Sequence, residues 1–137
     1  MKAKLTVIAL YLVTLLSSPA TFAAEGSSVV ATYFHTTFRC VSCHKIQNFT
    51  EEALRKGFAR ELASGRLKYR VINIEEPGNE HYVQDYSLYT KSVVLSLQKD
   101  GKEVGFKNLD KVWQLLNDKD KFVSYIENET KSFLDSN

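Results

Sequence analysis

The apolar positions change period several times along the chain, and each change marks an element. Val29-Val30-Ala31-Thr32-Tyr33-Phe34 is a β-branched and aromatic run without a charge, the pattern of a strand buried on both faces; it predicts a central strand ending near His35. From Cys43 onward Ile46, Phe49, Ala53, Leu54, Phe58 and Leu62 recur at spacings of three and four. That period predicts a helix closing at Ser64-Gly65, with Gly57 and the Asn48–Thr50 stretch as places for a bend. Leu67-Lys68-Tyr69-Arg70-Val71-Ile72-Asn73-Ile74 begins in strict alternation and is stopped by Glu76-Pro77-Gly78, so it reads as a second strand. Strand, helix and strand over this span form a βαβ unit, which implies parallel pairing and a right-handed crossover.

Asn79 to Tyr89 places Tyr82, Val83, Tyr86 and Tyr89 on one face of a short predicted helix, a stripe read as core. Ser92-Val93-Val94-Leu95-Ser96-Leu97 and Glu103-Val104-Gly105-Phe106 flank Lys99-Asp100-Gly101. Asp-Gly supplies the positive φ of a tight hairpin, so these two strands are expected to be antiparallel. The tail repeats Val112, Leu115, Leu116, Phe122, Val123, Ile126 and Phe133 at helical spacing, with Asn117-Asp118 as a break and new N-cap. The expected order is β-α-β-α-β-β-α: an α/β domain with a central four-stranded mixed sheet and helices available to both faces.

The 137 residues hold one core and one domain, too little for a two-domain cofactor enzyme. Only 2 Pro and 6 Gly with 44% hydrophobic residues exclude collagen-like and disordered chains. Residues 1–23 stand apart: Lys2 and Lys4 precede an apolar run from Leu5 to Leu16, then Ser17-Ser18-Pro19 and the small-residue site Thr21-Phe22-Ala23. This is the order of a secretory signal peptide, and the run is well short of the roughly 20 residues a spanning helix needs. Cleavage after Ala23 is expected, with 24–137 as the mature domain in the periplasm or secreted, and with no stable membrane span after processing; an uncleaved anchor is the alternative. The leader takes two Lys and no acid with it, so 16 of the 18 basic residues then face 16 acidic ones. The net charge of +2 belongs to the leader, and no basic footprint for nucleic acid remains. The sequons at Asn48 and Asn128 are read as chance, since the first falls inside a predicted helix.

The only two cysteines form Cys40-Val41-Ser42-Cys43, where the first strand gives way to the first long helix. Two thiols on the first turn of a helix can close a small ring, and the helix N-terminus favours the thiolate of the first. Arg39, His44 and Lys45 add positive potential on either side. Cys40, the more exposed thiol, is the expected nucleophile, and Cys43, expected to be more buried, the resolving thiol. This is the constellation of a thiol–disulfide oxidoreductase, needing no cofactor. In an exported protein it needs an exported thiol or disulfide protein, or a membrane redox partner, to turn over.

The β-α-β-α-β-β-α order with CxxC at the first strand-to-helix junction resembles the thioredoxin fold over essentially the whole of 24–137. More narrowly, Tyr33 to Ile46, Asp85 to Val94 and Leu109 to Leu116 resemble the thioredoxin-like family of the nitrophenyl compound nitroreductase subunit ArsF. That resemblance implies a small exported or periplasmic protein, of a kind often encoded near arsenic-resistance genes. The family name implies nitroreduction, but the sequence has no flavin-binding pattern. The resemblance to thioredoxins also places Thr90-Lys91-Ser92-Val93 opposite the cysteines, with Lys91, Ser92 and Val93 as the facing loop. This chain departs from the thioredoxin pattern at three points. Arg39 stands for the aromatic residue before the first cysteine, and Phe34 for the buried acid six residues before it. The facing loop has no proline; a cis bond there would cost about 3 kcal/mol, so a trans loop is expected.

Three other readings use the same residues. Cys40-Val41-Ser42-Cys43-His44 is also CxxCH, the attachment pattern of a c-type haem, with His35 or His81 as the available axial ligand once Met1 is removed. Cys40, Cys43, His44 and His35 are four soft or borderline ligands that zinc or Cu(I) could use, although His44 is otherwise a solvent-facing first-turn residue and His35 and His81 ordinary surface histidines. Finally, the pair could be a static disulfide in an interaction module. A helix-start CxxC is usually more reducible than a disulfide closing a long loop, which favours exchange. Trp113 is read as packing.

Overall fold

The computed structural model describes residues 26–136; the expected leader, 1–23, lies outside the described residues. Strand β1 (Ser28–His35) is central, with β2 (Leu67–Asn73) on one side and β3 (Ser92–Lys99) on the other, and β4 (Lys102–Asn108) at the far edge, giving the order β2-β1-β3-β4. β1 and β2 are parallel, whereas β1 with β3 and β3 with β4 are antiparallel. The hairpin turns at Asp100 (φ 50) and Gly101 (φ 75), the paired positive φ values for which Asp-Gly is suited.

Helix α1 (Val41–Gly57) follows β1, and α2 (Ala59–Ser64) follows α1 across a break at Phe58. Of the two places for a bend, the chain uses the one at Gly57. Gly65 ends α2 at φ 78, a left-handed cap that lacks the steric cost a Cβ would add. After a 3-10 turn at Asp110–Val112, Asp118 caps α4 (Lys119–Asp135) by accepting the N–H of Lys121, at the break expected from Asn117-Asp118. Both sequon asparagines lie inside helices, Asn48 in α1 and Asn128 in α4.

α1 and α4 cover one face of the sheet. Val29, Ala31 and Tyr33 of β1 and Val93 and Leu95 of β3 meet Ile46, Ala53 and Leu54 from α1 and Phe122, Ile126 and Leu134 from α4 in one buried cluster. Burying each large apolar side chain of this kind contributes about 1.5–3 kcal/mol, so this layer is the main source of stability. The opposite face is covered differently. The predicted helix over 79–89 is reduced to one turn, α3 (Tyr82–Asp85), and its flanks pack Tyr82, Tyr86 and Leu88 on Phe34, Ile72 and Val94. The tyrosine stripe is therefore only half core: Tyr89 is 96% exposed and Val83 is exposed as well. Glu76-Pro77-Gly78 leaves few residues before α3, and Ser87 at φ 51 breaks the helical path before Tyr89. The connectivity, the mixed sheet and the helices on its two faces make a thioredoxin-like α/β fold.

Candidate functional site

Cys40 is the N-cap of α1. Its backbone is extended (φ −90, ψ 170) and its Sγ accepts the N–H of Cys43 at 3.2 Å, so a sulfur stands where a Ser, Thr or Asp oxygen usually serves. The helix begins at Val41, two residues ahead of the apolar period, because that period starts only with the first core-facing side chain. Cys40 and Cys43 are joined as a disulfide with Cα atoms 5.0 Å apart. Cys43 is fully buried and Cys40 half-buried. The helix geometry thus makes the two sulfurs inequivalent, one at the surface end of the turn and one in the core.

The floor under the pair comes from the central strand. Tyr33 faces α1, and its hydroxyl donates to the Cys43 carbonyl at 2.9 Å. The Arg39 guanidinium lies 5.8 Å from the centre of the Tyr33 ring and donates to Gln47 Oε1. Burial pushes the Tyr33 phenol above its ordinary pKa, with the Arg39 charge pulling the other way, so the hydroxyl is a neutral donor. Tyr69 on β2 has its hydroxyl buried without a partner, and burial raises its pKa too. Phe34, one residue on, faces the other side of the sheet. Tyr33→Phe leaves the Cys43 carbonyl without this buried donor and is expected to cost about 1 kcal/mol, read as a lower urea midpoint with unchanged slope; an unchanged midpoint would show that the bond carries no net stability.

Of the three cations expected around the cysteines, only Arg39 is packed against the floor. His44 and Lys45 are exposed on the first turns of α1, where the His44 N–H closes the first turn on the Cys40 carbonyl at 3.1 Å. Residues 90–93, which the resemblance to thioredoxins places opposite the cysteines, are held by two partners distant in sequence and one local bond. Trp113 Nε1 donates to the Lys91 carbonyl at 2.8 Å, Ser92 Oγ to the Thr90 carbonyl at 2.8 Å, and Leu109 N to the Val93 carbonyl at 2.8 Å. Register places Val93 beside Tyr33 and Ser92 beside Phe34, at the end of the sheet from which the chain leads to Cys40. Every peptide bond among the described residues is trans. Trp113, read from sequence as packing, both packs on the core and anchors this loop.

The approach to Cys40 is clamped by the end of β2. The Thr37 N–H donates to Glu75 Oε2 at 2.9 Å, and Asn73 Nδ2 to Thr37 Oγ1 at 3.1 Å. Nothing in the sequence period signalled this clamp, since both partners are loop residues 38 apart. The Thr37 amide holds the Glu75 carboxyl below its ordinary pKa of 4.5. A depressed folded-state pKa means the clamp contributes fully above pH 4.5 and is lost as pH falls through the lower folded value. The Thr37 amide resonance is expected to shift along that acid limb in the native protein and to lose the transition in Glu75→Gln; a transition that persists in Glu75→Gln would assign it to another group. Around the same end of the fold Phe38 and Val41 are each 76% exposed, and Tyr89 stands before the facing loop.

The four ligands of the metal reading are not gathered. Among the described residues no group of three or more His, Cys, Asp or Glu side chains is placed to hold a metal ion; His35 Nδ1 is engaged with the Thr36 carbonyl at 2.8 Å. His81, a possible axial ligand in the haem reading, pairs with Asp85 at 2.6 Å beside α3. None of the helices among the described residues is long and apolar enough to cross a membrane.

No protein-family profile and no curated protein matches the sequence. Among solved structures the chain is similar to thioredoxin O2 of Arabidopsis thaliana in its oxidised state, at 15% identity and TM-score 0.41, covering 70% of this chain and 76% of that one. It is similar to Fasciola hepatica thioredoxin at 22% identity and TM-score 0.38, covering 66% and 79%. To the oxidised thioredoxin of Plasmodium falciparum it has 17% identity and TM-score 0.40, covering 66% and 79%. The thioredoxin-like fold follows from the strand order β2-β1-β3-β4 and its connectivity.

Proposed function

We infer that the protein exchanges a dithiol for a disulfide through Cys40 and Cys43. The observation that carries the reading is the inequivalence of the two sulfurs: Cys40 caps α1 at the surface and receives a helix N–H, while Cys43 is sealed in the core. When the pair is reduced, that amide and the helix N-terminus favour negative charge on Cys40. The Cys40 thiolate attacks one sulfur of a partner disulfide, forming a mixed disulfide and releasing the partner's other sulfur as a thiolate, which takes up a proton. Cys43, losing its proton, then attacks Cys40 Sγ, closes the internal disulfide and releases the partner's second thiol. Two electrons and two protons pass to the partner, and the reverse sequence oxidises it.

Arg39 is proposed to hold the floor in place, and Lys91, Ser92 and Val93 to meet the partner's backbone beside the mixed disulfide; His44 and Lys45 contribute charge at the rim. The partner is an exported thiol or disulfide protein or a membrane redox protein, since the leader-like residues 1–23 direct the chain to the periplasm or out of the cell. The narrower assignment to the ArsF family is supported by where its three stretches lie. Tyr33 to Ile46 carries the cysteines and their floor, Asp85 to Val94 the facing loop, and Leu109 to Leu116 the tryptophan that anchors that loop. The proposal is tested by brief iodoacetamide labelling of the reduced protein at neutral pH, followed by peptide mapping. Cys40 is expected to be labelled well before Cys43; equal labelling, or Cys43 first, would overturn the roles.

A further inference from the structure

The short α3 leaves much of one sheet face uncovered, although parallel pairs of this kind normally have helices on both faces. The uncovered part is a groove of about 680 Å³ toward the start of β1, a size typical of small-molecule sites. It is separate from the cysteines: Val30 and Thr32 on its floor face away from Tyr33, whose side of the sheet carries α1 and Cys43.

Register arranges its chemistry in rows. Val30 lies between Lys68 and Ser96, Thr32 between Arg70 and Val94, and Ser28 beside Gln98. Val30, Thr32 and Ser96 are buried floor residues, whereas Lys68 and Arg70 are exposed on the β2 wall. Tyr82 and Tyr86, stacked with ring centres 6.0 Å apart and nearly parallel, line the groove at the α3 end. Among the described residues, Glu103 and Asp100 are the acids that border the groove. Glu103 accepts from Tyr86 at 2.6 Å and from Ser96, and Asp100 lies at the hairpin rim. Neither pairs with the two cations: among the described residues, Lys68 and Arg70 take part in none of the seven ion pairs and in no side-chain hydrogen bond.

Two unpaired cations two residues apart on a strand share a face and can grip one anionic group, and Arg is suited to carboxylate, sulfonate or phosphate oxygens. A wall of aromatic rings across the groove suits a flat apolar body. We propose that this groove is a binding site for a small aromatic anion, its charged end at Lys68 and Arg70 and its ring system against Tyr82 and Tyr86. Thr32 supplies a neutral polar contact on the floor, while Ser96 is already engaged, donating to Glu103 and accepting from Gln98 at 2.6 Å. The site does not depend on the cysteine chemistry.

The test uses 8-anilinonaphthalene-1-sulfonate as the probe and N-phenyl-1-naphthylamine, the same ring system without the sulfonate, as the control. Calorimetric titration is expected to show one saturable site for the sulfonate and at least tenfold weaker binding of the neutral amine. Backbone amide shifts on the native protein should centre on Lys68, Arg70, Thr32 and Ser96. Lys68→Gln with Arg70→Gln should weaken the sulfonate at least tenfold with an unchanged melting temperature, and serines at both cysteines should leave its affinity unaltered. No saturable binding, equal binding of the neutral amine, or shifts centred instead on Phe38, Val41 and Tyr89 would overturn the proposal.

Discussion

Cys43→Ser is expected to accumulate covalent adducts with thiol partners, while Cys40→Ser is not. In the first variant the half-buried N-cap sulfur still attacks a disulfide, but the buried position can no longer release the product. In the second, the remaining thiol is fully buried and cannot reach a partner. Trapping in extracts of the host, resolved on non-reducing gels and identified by mass spectrometry, should differ between the variants by on the order of tenfold or more, as the loss of a nucleophile does. Equal trapping by both, or none by either, would remove the assigned roles. An interaction module with a static disulfide would instead keep its partner after both cysteines become serine.

The largest stability effect is expected from Phe122→Ala. Phe122 is fully buried in the first turns of α4 and meets Phe49 of α1 edge-on at 5.5 Å, so it joins the two helices that hold the cysteine-bearing turn over the sheet. Removing a ring from such a site costs about 3–5 kcal/mol, a large share of the roughly 5–15 kcal/mol that stabilises a domain. Val104, 55% exposed on the edge strand, is the comparison: Val104→Ala should change stability by no more than about 0.5 kcal/mol. Urea unfolding of the oxidised protein checks both. Similar midpoints for the two variants would mean that the α1–α4 layer is not the principal core.

These expectations draw on parts of the molecule that were unequally legible in its sequence. The strands were readable because β1 is apolar on both faces and because Asp100-Gly101 is a turn with a defined backbone. The α4 cap at Asp118 was readable for the same reason, a side chain with one local purpose. The break at Gly57 was readable only as one of two choices, since helix period continues across it through Phe58 and Leu62. The stripe Tyr82, Tyr86, Tyr89 misled because a helical period is satisfied by three residues whether or not the chain has room to continue. Here the turn at Ser87 releases Tyr89 to solvent.

The site divides in the same way. Cys40 and Cys43 were legible because CxxC at a strand-to-helix junction carries both chemistry and placement. Tyr33 was within reach of the strand alternation, which puts Tyr33 and Phe34 on opposite faces, but choosing the face beneath the cysteines required the packing of α1. The Trp113 anchor and the Glu75 clamp were not legible, since each joins residues far apart through single hydrogen bonds that leave no period behind. The groove beside Lys68 and Arg70 was hidden by the longer helix expected over 79–89, which would have covered it.

Exchange through Cys40 and Cys43 is tested most directly by the redox equilibrium of the pair. The purified protein is brought to equilibrium in graded glutathione buffers, extended with dithiothreitol, then alkylated and weighed intact, so that thiol count and midpoint are read together. A two-thiol transition with a midpoint between about −120 and −270 mV, the span of known exchange proteins, is the predicted result. A pair that stays oxidised below about −300 mV would be a structural disulfide and would contradict the account.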